Sequence, residues 1–337
     1  MGGDYGPKVV VPAALDALQN YPQLEIILVG DQQAMARQLQ DLPAPPASRL
    51  HLQPTSQTVA MDESPSSALR GKKDSSMRVA VNLVKQQQAH ACVSAGNTGA
   101  LMAMAKFVLK TLPGIDRPAI IYPMPTDTGQ AQFGCIRMLD LGANVDCNED
   151  HLFQFSVMGS VLAKALDQKA TPRIGLLNIG SEAIKGSEVV KRTALKLTHT
   201  SALNYIGFIE GTDIFQNKAD VVVCDGFVGN VALKSSEGVA NMLLNCMKRE
   251  FTKNWRTKMI ALLARPVLKG LHQKFDPTRY NGATLIGLNG IVIKSHGNAT
   301  TKSFYKAITE AINEAEQNIP ALIRSEVALY LGDPKVP

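Results

Sequence analysis

The chain has one tryptophan, 5% aromatic residues and five cysteines among 337 residues. So few aromatics, with no recognition module, leave little to stack on bases, and nucleic acid is not an expected partner. Cys92, Cys135, Cys147, Cys224 and Cys246 are odd in number, widely spaced and free of any C-x-x-C pair. Neither a disulfide framework nor a zinc site is indicated, and no metal is expected. Cys92 and Cys224 lie in apolar runs and read as buried, inert thiols. No stretch reaches the roughly 18 apolar residues of a membrane span; the best, 100–109, contains Lys106. Met1-Gly2-Gly3-Asp4 lacks the basic start and apolar segment of a signal peptide, and Gly6 occupies the position where a myristoylation signal wants Ser or Thr. The expected location is the cytoplasm.

Several catalytic signatures are missing as well. No turn carries G-x-G-x-x-G with a ribose-binding acid downstream. Lys185-Gly186-Ser187 reverses the order a P-loop needs, and neither G-x-S-x-G nor H-E-x-x-H occurs. A dehydrogenase, an ATPase and a serine hydrolase all lose ground, and no cofactor is expected.

The composition that remains, 45% hydrophobic and 19% charged, is that of a globular protein. Short apolar β-type runs (24–29, 49–52, 90–94, 119–122, 135–139, 173–179, 204–209 and 221–224) alternate with helical patterns (32–42, 75–88, 98–109, 149–166, 187–197, 230–250 and 300–318). This alternation predicts one doubly wound, three-layer α/β/α domain over 1–337, with a parallel sheet covered on both faces. The Pro-rich stretch 42–48 is too short for a linker.

Charge is concentrated in one segment. Between Lys248 and Lys274 there are eight basic residues against Glu250 alone, a net +7 in a chain whose total is +6. Met247, Phe251, Trp255 and Met259, four apart, form an apolar stripe there, and Pro266 is expected to break the helix. The segment 246–280 therefore reads as a basic amphipathic helical projection. It can serve a membrane surface, an acidic partner or a second subunit, with Lys253, Trp255, Arg256, Leu262 and Leu263 as its contact residues.

Glycine-rich turns follow five of the strands: 93–99, 140–144, 178–186, 225–230 and 294–297. In a doubly wound fold such turns hold the unpaired N–H groups of helix starts, so five of them point to an extended anion-accepting cleft. Among the six histidines only His296 has such company, between Lys294 and Gly297.

Read in order, Met1-Gly2-Gly3-Asp4 with Gly6-Pro7, Ser75-Ser76-Met77, the segment 94–101, Gly114-Ile115-Asp116-Arg117-Pro118, 141–146, Met158-Gly159-Ser160, 177–188, Cys224-Asp225-Gly226-Phe227 and Lys294-Ser295-His296-Gly297 resemble the bacterial phosphate acyltransferase family over nearly the whole chain. The resemblance implies a homodimer with an isocitrate-dehydrogenase- or phosphotransacetylase-like fold and no redox cofactor. It also implies the reaction of long-chain acyl carrier protein with inorganic phosphate to give acyl phosphate and free carrier. The product would feed a membrane-bound glycerol-phosphate acyltransferase in phospholipid synthesis, from an enzyme peripherally associated with the membrane. Two departures stand out. Relatives usually carry a strand ending in Asp before the Met-Gly-Gly-Asp turn, whose loss would loosen that turn. Ser181 and Ala183 replace larger or acidic residues, whereas Glu182, Lys185, Gly186 and Glu188 fit.

Phosphate is already an anionic nucleophile at neutral pH. The protein must hold it, stabilise an oxyanion and assist the departing thiolate. Asn97, Thr98, Lys185 and Asn230 are the expected phosphate cradle. Lys294 and His296 are the expected charge stabilisers or proton donors, and together with Lys185 and Asn230 they are the expected catalytic residues. Asp225 is expected to orient a neighbour, and Asp140 and Asn144 to cap turns. Two rivals are a short-chain phosphotransacylase using acyl-CoA and a catalytically silent membrane-surface scaffold.

Overall fold

The computed structural model describes residues 1–42, 48–128, 134–275 and 281–331. The middle of the Pro-rich stretch (43–47), the end of the expected projection (276–280) and the last six residues of the expected domain (332–337) lie outside them.

Ten strands are described: β1 (Ile26–Gly30), β2 (Leu50–Pro54), β3 (Ala91–Ser94), β4 (Ala119–Thr126), β5 (Gly134–Leu139), β6 (Ile174–Leu177), β7 (Tyr205–Ile209), β8 (Val221–Val223), β9 (Ala283–Ile286) and β10 (Ile291–Lys294). β1 and β2 pair separately; the others form one sheet in the order β3-β10-β9-β4-β5-β8-β6-β7. The expected parallel sheet is mixed. β3 pairs in parallel with β10, and β5, β8, β6 and β7 are mutually parallel, but β9 is antiparallel to both neighbours and β4 is antiparallel to β5. The two parallel halves consequently run in opposite senses. Apolar runs report burial on both faces but carry no information on strand direction.

Twelve α-helices are described, and most of them cover the sheet. On one face lie α3 (Pro65–Gly71), α4 (Ser76–Lys85), α5 (Thr98–Leu109) and the start of α8 (Gly226–Thr252). Met102 of α5 and Ala232 and Leu233 of α8 pack on the strand residues Ile120, Tyr122, Met138 and Val222, which places α5 and α8 side by side above β4. The other face is covered by α6 (Glu149–Leu166), α7 (Glu188–Thr198), α11 (Thr301–Glu316) and α12 (Ile319–Leu331). α1 (Pro7–Asn20) packs on α11, and α2 (Gln32–Gln40) beside β1. Helices α1, α3 and α12 and strand β9 are not among the expected elements, and β10 is expected only as the strand end before the 294–297 turn.

The basic segment forms neither a single helix nor a continuous apolar stripe. α8 ends at Thr252, and α9 (Trp255–Leu263) starts afresh under an Asn254 cap whose side chain accepts from the Thr257 N–H at 3.0 Å. α10 (Arg265–Phe275) follows, with Pro266 in its first turn, where the missing N–H costs no helical hydrogen bond. The break at Lys253–Asn254 interrupts the four-residue spacing between Phe251 and Trp255. Trp255 and Leu263 are 71% and 80% exposed, and no residue of α9 is buried among the described residues.

Candidate active site

Lys294 ends β10 in register with Ser94 of β3 and Ala283 of β9. The turn after it is organised by a residue that no motif singles out. Asn281, 4% exposed, donates from Nδ2 to Ser295 Oγ (2.8 Å) and to the Ser303 carbonyl (2.8 Å), and its Oδ1 accepts from the His296 N–H (3.0 Å). The first turn of the chain closes on the same place. The Asp4 N–H donates to the Gly297 carbonyl at 2.8 Å. A Cβ at Gly2 would fall 2.5 Å from Gly96 Cα, and Gly3, at φ +85°, lies against Gly297 and Ala95. The 1–4 turn packs tightly there, and three separate glycine motifs become one site.

α8 forms the adjoining wall. Lys234 Nζ donates to Glu237 Oε2 at 2.9 Å, and Glu237 Oε1 stands 3.8 Å from His296 Nε2. The His296 ring meets Tyr122 of β4 edge-on, with centroids 6.1 Å apart. Lys294 donates from Nζ to the Ser295 carbonyl. Burial pushes the Lys294 ammonium down to about 8, Lys234 nearby adds to this, and Asp4 opposes it. Burial, followed by Lys294 and Lys234, holds the His296 imidazole below its ordinary range against the pull of Glu237. Burial and the two neighbouring lysines thus favour the uncharged form of the His296 imidazole over the imidazolium.

The loops after β5 and β8 lie at the other end of this wall. Asp140 is fully buried and accepts from the N–H groups of Ile120 (2.9 Å), Ala143 (3.0 Å) and Asn144 (2.7 Å) and from Asn144 Nδ2 (2.9 Å). Burial raises its carboxyl pKa, and those bonds pull it back. Asp225 caps α8, accepting from the Val228 N–H at 2.8 Å. Asn230 is exposed one turn further on, and its side chain faces Gly142. Asn230 and Glu237 are seven residues apart on α8, so the wall between them is about 10 Å long.

The remaining expected residues lie elsewhere. Lys185 pairs with Glu182 at 2.9 Å in an exposed loop that Asn178 Nδ2 ties together through the Gly180 and Lys185 carbonyls (3.1 and 3.2 Å). That loop follows β6, the sheet neighbour of β8. Asn97 corrects the expectation of a phosphate ligand. Its Nδ2 donates to the carbonyls of Ala60, Met61 and Glu63, and its Oδ1 caps α5 through the Ala100 N–H, so its amide is spent within the chain. Thr98 is exposed in the first turn of α5. Lys253 pairs with Glu250 at 3.6 Å, and Arg256 lies 5.6 Å over the Trp255 ring. The thiols match their sequence reading: burial pushes Cys92 up to about 12 and Cys224 well above the ordinary thiol range. Among the described residues no group of His, Cys, Asp or Glu is placed to hold a metal ion.

Lys234, Glu237, Tyr122 and Asn281 were missed. Glu237 had a signal, since seven residues from Asn230 is two helical turns on one face. Tyr122 and Asn281 had none, because only the mixed sheet sets them beside His296.

A family model described as fatty acid synthesis protein matches residues 1–322. A phosphate acyltransferase of Methylococcus capsulatus is 56% identical over 320 residues, covering 95% of this chain and 93% of its own. The chain belongs to the phosphate acyltransferase family. A second relative of that name, from Coxiella burnetii, is 55% identical over 334 residues, covering 99% of this chain and 96% of its own. This phosphate acyltransferase shares its fold with a phosphotransacetylase from Streptococcus pyogenes (TM-score 0.60, 19% identity, 93% of this chain and 91% of that one). The same holds for a branched-chain phosphotransacylase from Enterococcus faecalis (TM-score 0.55, 16% identity, 93% and 97%). The family is one of fatty acid synthesis, and among the described residues no helix is long and apolar enough to cross a membrane.

Proposed function

We propose that this phosphate acyltransferase takes a long-chain acyl group from acyl carrier protein, and that phosphate sits between Lys294 and the α8 wall. The observation that carries the reading is the convergence of Lys294, at the end of β10, and the Lys234–Glu237 pair of α8 on the half-buried His296 ring, which Glu237 approaches to 3.8 Å. Such a site attracts an anion and offers a base to it. In the proposed step a phosphate oxygen attacks the thioester carbonyl, forming the C–O bond. The tetrahedral oxyanion collapses as the C–S bond breaks. The proton of hydrogen phosphate passes through His296 to the departing sulfur, leaving acyl phosphate and the carrier thiol. Asn230, at the other end of the wall, and Lys185 serve the oxyanion or the thioester arm. Asn281 and Glu237 position the His296 turn without touching substrate.

The proposed enzyme is a homodimer at the cytoplasmic membrane surface. The support is the apolar exposure of Trp255, Leu262 and Leu263 alongside Lys253 and Arg256. There it would pass acyl phosphate to a membrane-bound glycerol-phosphate acyltransferase. The test is phosphate-dependent release of free carrier from palmitoyl carrier protein, with acyl phosphate trapped by hydroxylamine and palmitoyl-CoA run in parallel. Turnover with the carrier donor supports the reading. Preference for a short-chain acyl-CoA, or phosphate and vesicle binding without turnover, would replace it.

A further inference from the structure

We propose that the crest made by α4 and α5 is the docking surface for the acidic helical protein that delivers the acyl group, an inference that rests on the carrier-bound donor proposed above. Phe107 is 52% exposed near the end of α5. The Arg78 guanidinium lies 5.1 Å and the Lys110 ammonium 4.9 Å from its ring centroid. Lys106, also exposed, stands one turn before Lys110. Among the described residues no carboxylate forms an ion pair with Arg78, Lys106 or Lys110. On α7, by contrast, Lys191, Arg192 and Lys196 pair with Glu188, Glu149 and Asp150. An exposed ring set among unpaired cations is the composition of an interface centre, and its charge complements an acidic helix.

Position supports the same assignment. α5 starts at Thr98, where the His296 turn and the first turn of the chain converge, and Met102 on the same helix packs with Tyr122. Phe107 is nine residues from Thr98, about 14 Å along the axis. The basic segment beyond α8 is a poorer platform for this donor. α8 runs 15 residues past Glu237, about 22 Å along its axis, before the break that leads to Trp255, whose neighbours Met259, Ile260, Leu262 and Leu263 present an apolar surface.

The test compares wild type with Arg78→Glu, Phe107→Ala and Lys110→Glu, using palmitoyl carrier protein and a short acyl N-acetylcysteamine thioester as donors. Labelled carrier without an acyl group is titrated in parallel by fluorescence anisotropy. The expected result is at least a tenfold rise in KM for the carrier donor and a matching loss of carrier affinity. kcat should stay within twofold and turnover of the small thioester should be unchanged. Lys110→Gln and the melting temperature guard against a folding defect. Carrier affinity within twofold of wild type in all variants overturns the proposal. So does dissociation of a dimer in sedimentation, which would make the crest an interface between copies, or loss of vesicle binding with an unchanged carrier KM. Failure of the wild type to turn over carrier donor with phosphate would sink the proposed reaction, while the anisotropy arm would still decide the surface.

Discussion

Replacing Gly229 by alanine should damage the enzyme, whereas the same change nine residues on should stabilise it. A Cβ at 229 would sit 1.9 Å from the Asp140 carbonyl oxygen and 2.9 Å from Cys224 Sγ, where ordinary contact begins at 3.4 Å. α8 must retreat by about 1.5 Å there, the difference between those two figures. Forcing extra atoms into a packed contact costs about 1–3 kcal/mol, and alanine's helix propensity returns about 1 kcal/mol. Net stability should therefore fall by about 0–2 kcal/mol. The larger effect falls on function, because the first turns of α8 carry Asn230 and abut the Asp140–Asn144 loop. A misplacement of about 1 Å in a reacting geometry can cost ~100-fold. At Gly238, in the same helix, a Cβ meets nothing within 4 Å, so Gly238→Ala should gain about 1 kcal/mol with unchanged turnover. Urea unfolding and phosphate-dependent carrier release, run on both variants, make the comparison. Equal stability and activity in the two would refute the close-packed wall.

Lys294 near pKa 8 loses its charge in the mildly alkaline range. kcat/KM for phosphate should accordingly fall as pH rises through about 8, and Lys294→Arg should carry that limb to higher pH; a wild-type profile flat to pH 9.5 argues against an ammonium seat. Asn281→Ala should cost about 3 kcal/mol in urea unfolding, since three hydrogen bonds worth about 1 kcal/mol each are lost and buried partners are left unpaired. Arg137, with its guanidinium on Asp167 (2.9 Å) and Glu310 (2.7 Å), is a buried cation between two acids; Arg137→Met should cost about 3–5 kcal/mol by chemical denaturation. Burial first, then Glu310, raises the neighbouring Glu314 carboxyl from 4.5 to about 8. A raised folded-state pKa means the native state binds more protons, so this contribution to stability is full below about 4.5 and lost as pH rises through about 8. Glu314→Gln should flatten the pH dependence of stability across that window, and an unaltered slope would show that Glu314 is ionised in the fold.

The sequence alone was enough to assign the α/β/α class, the family and most of the loops that carry polar chemistry. Those features are local: apolar runs of strand length, helix-capping residues such as Asn97 and Asp225, and glycines at tight turns. It also marked Lys294, His296 and Asn230, because each sits beside a glycine turn at an element boundary. Strand direction was out of reach, since an apolar strand buried on both faces reads the same in either sense, and the mixed sheet is what sets Tyr122 beside His296. The basic segment was legible as charge but not as shape: the Asn254 cap that splits it competes with helix continuation on small free-energy differences. Asn97 shows the same limit from the other side, because its cap was predictable while the three carbonyls that occupy its amide come from 34 to 37 residues away. Local chemistry is written in neighbouring residues. The partners that saturate a side chain or leave it free for a ligand are brought together only when distant segments pack.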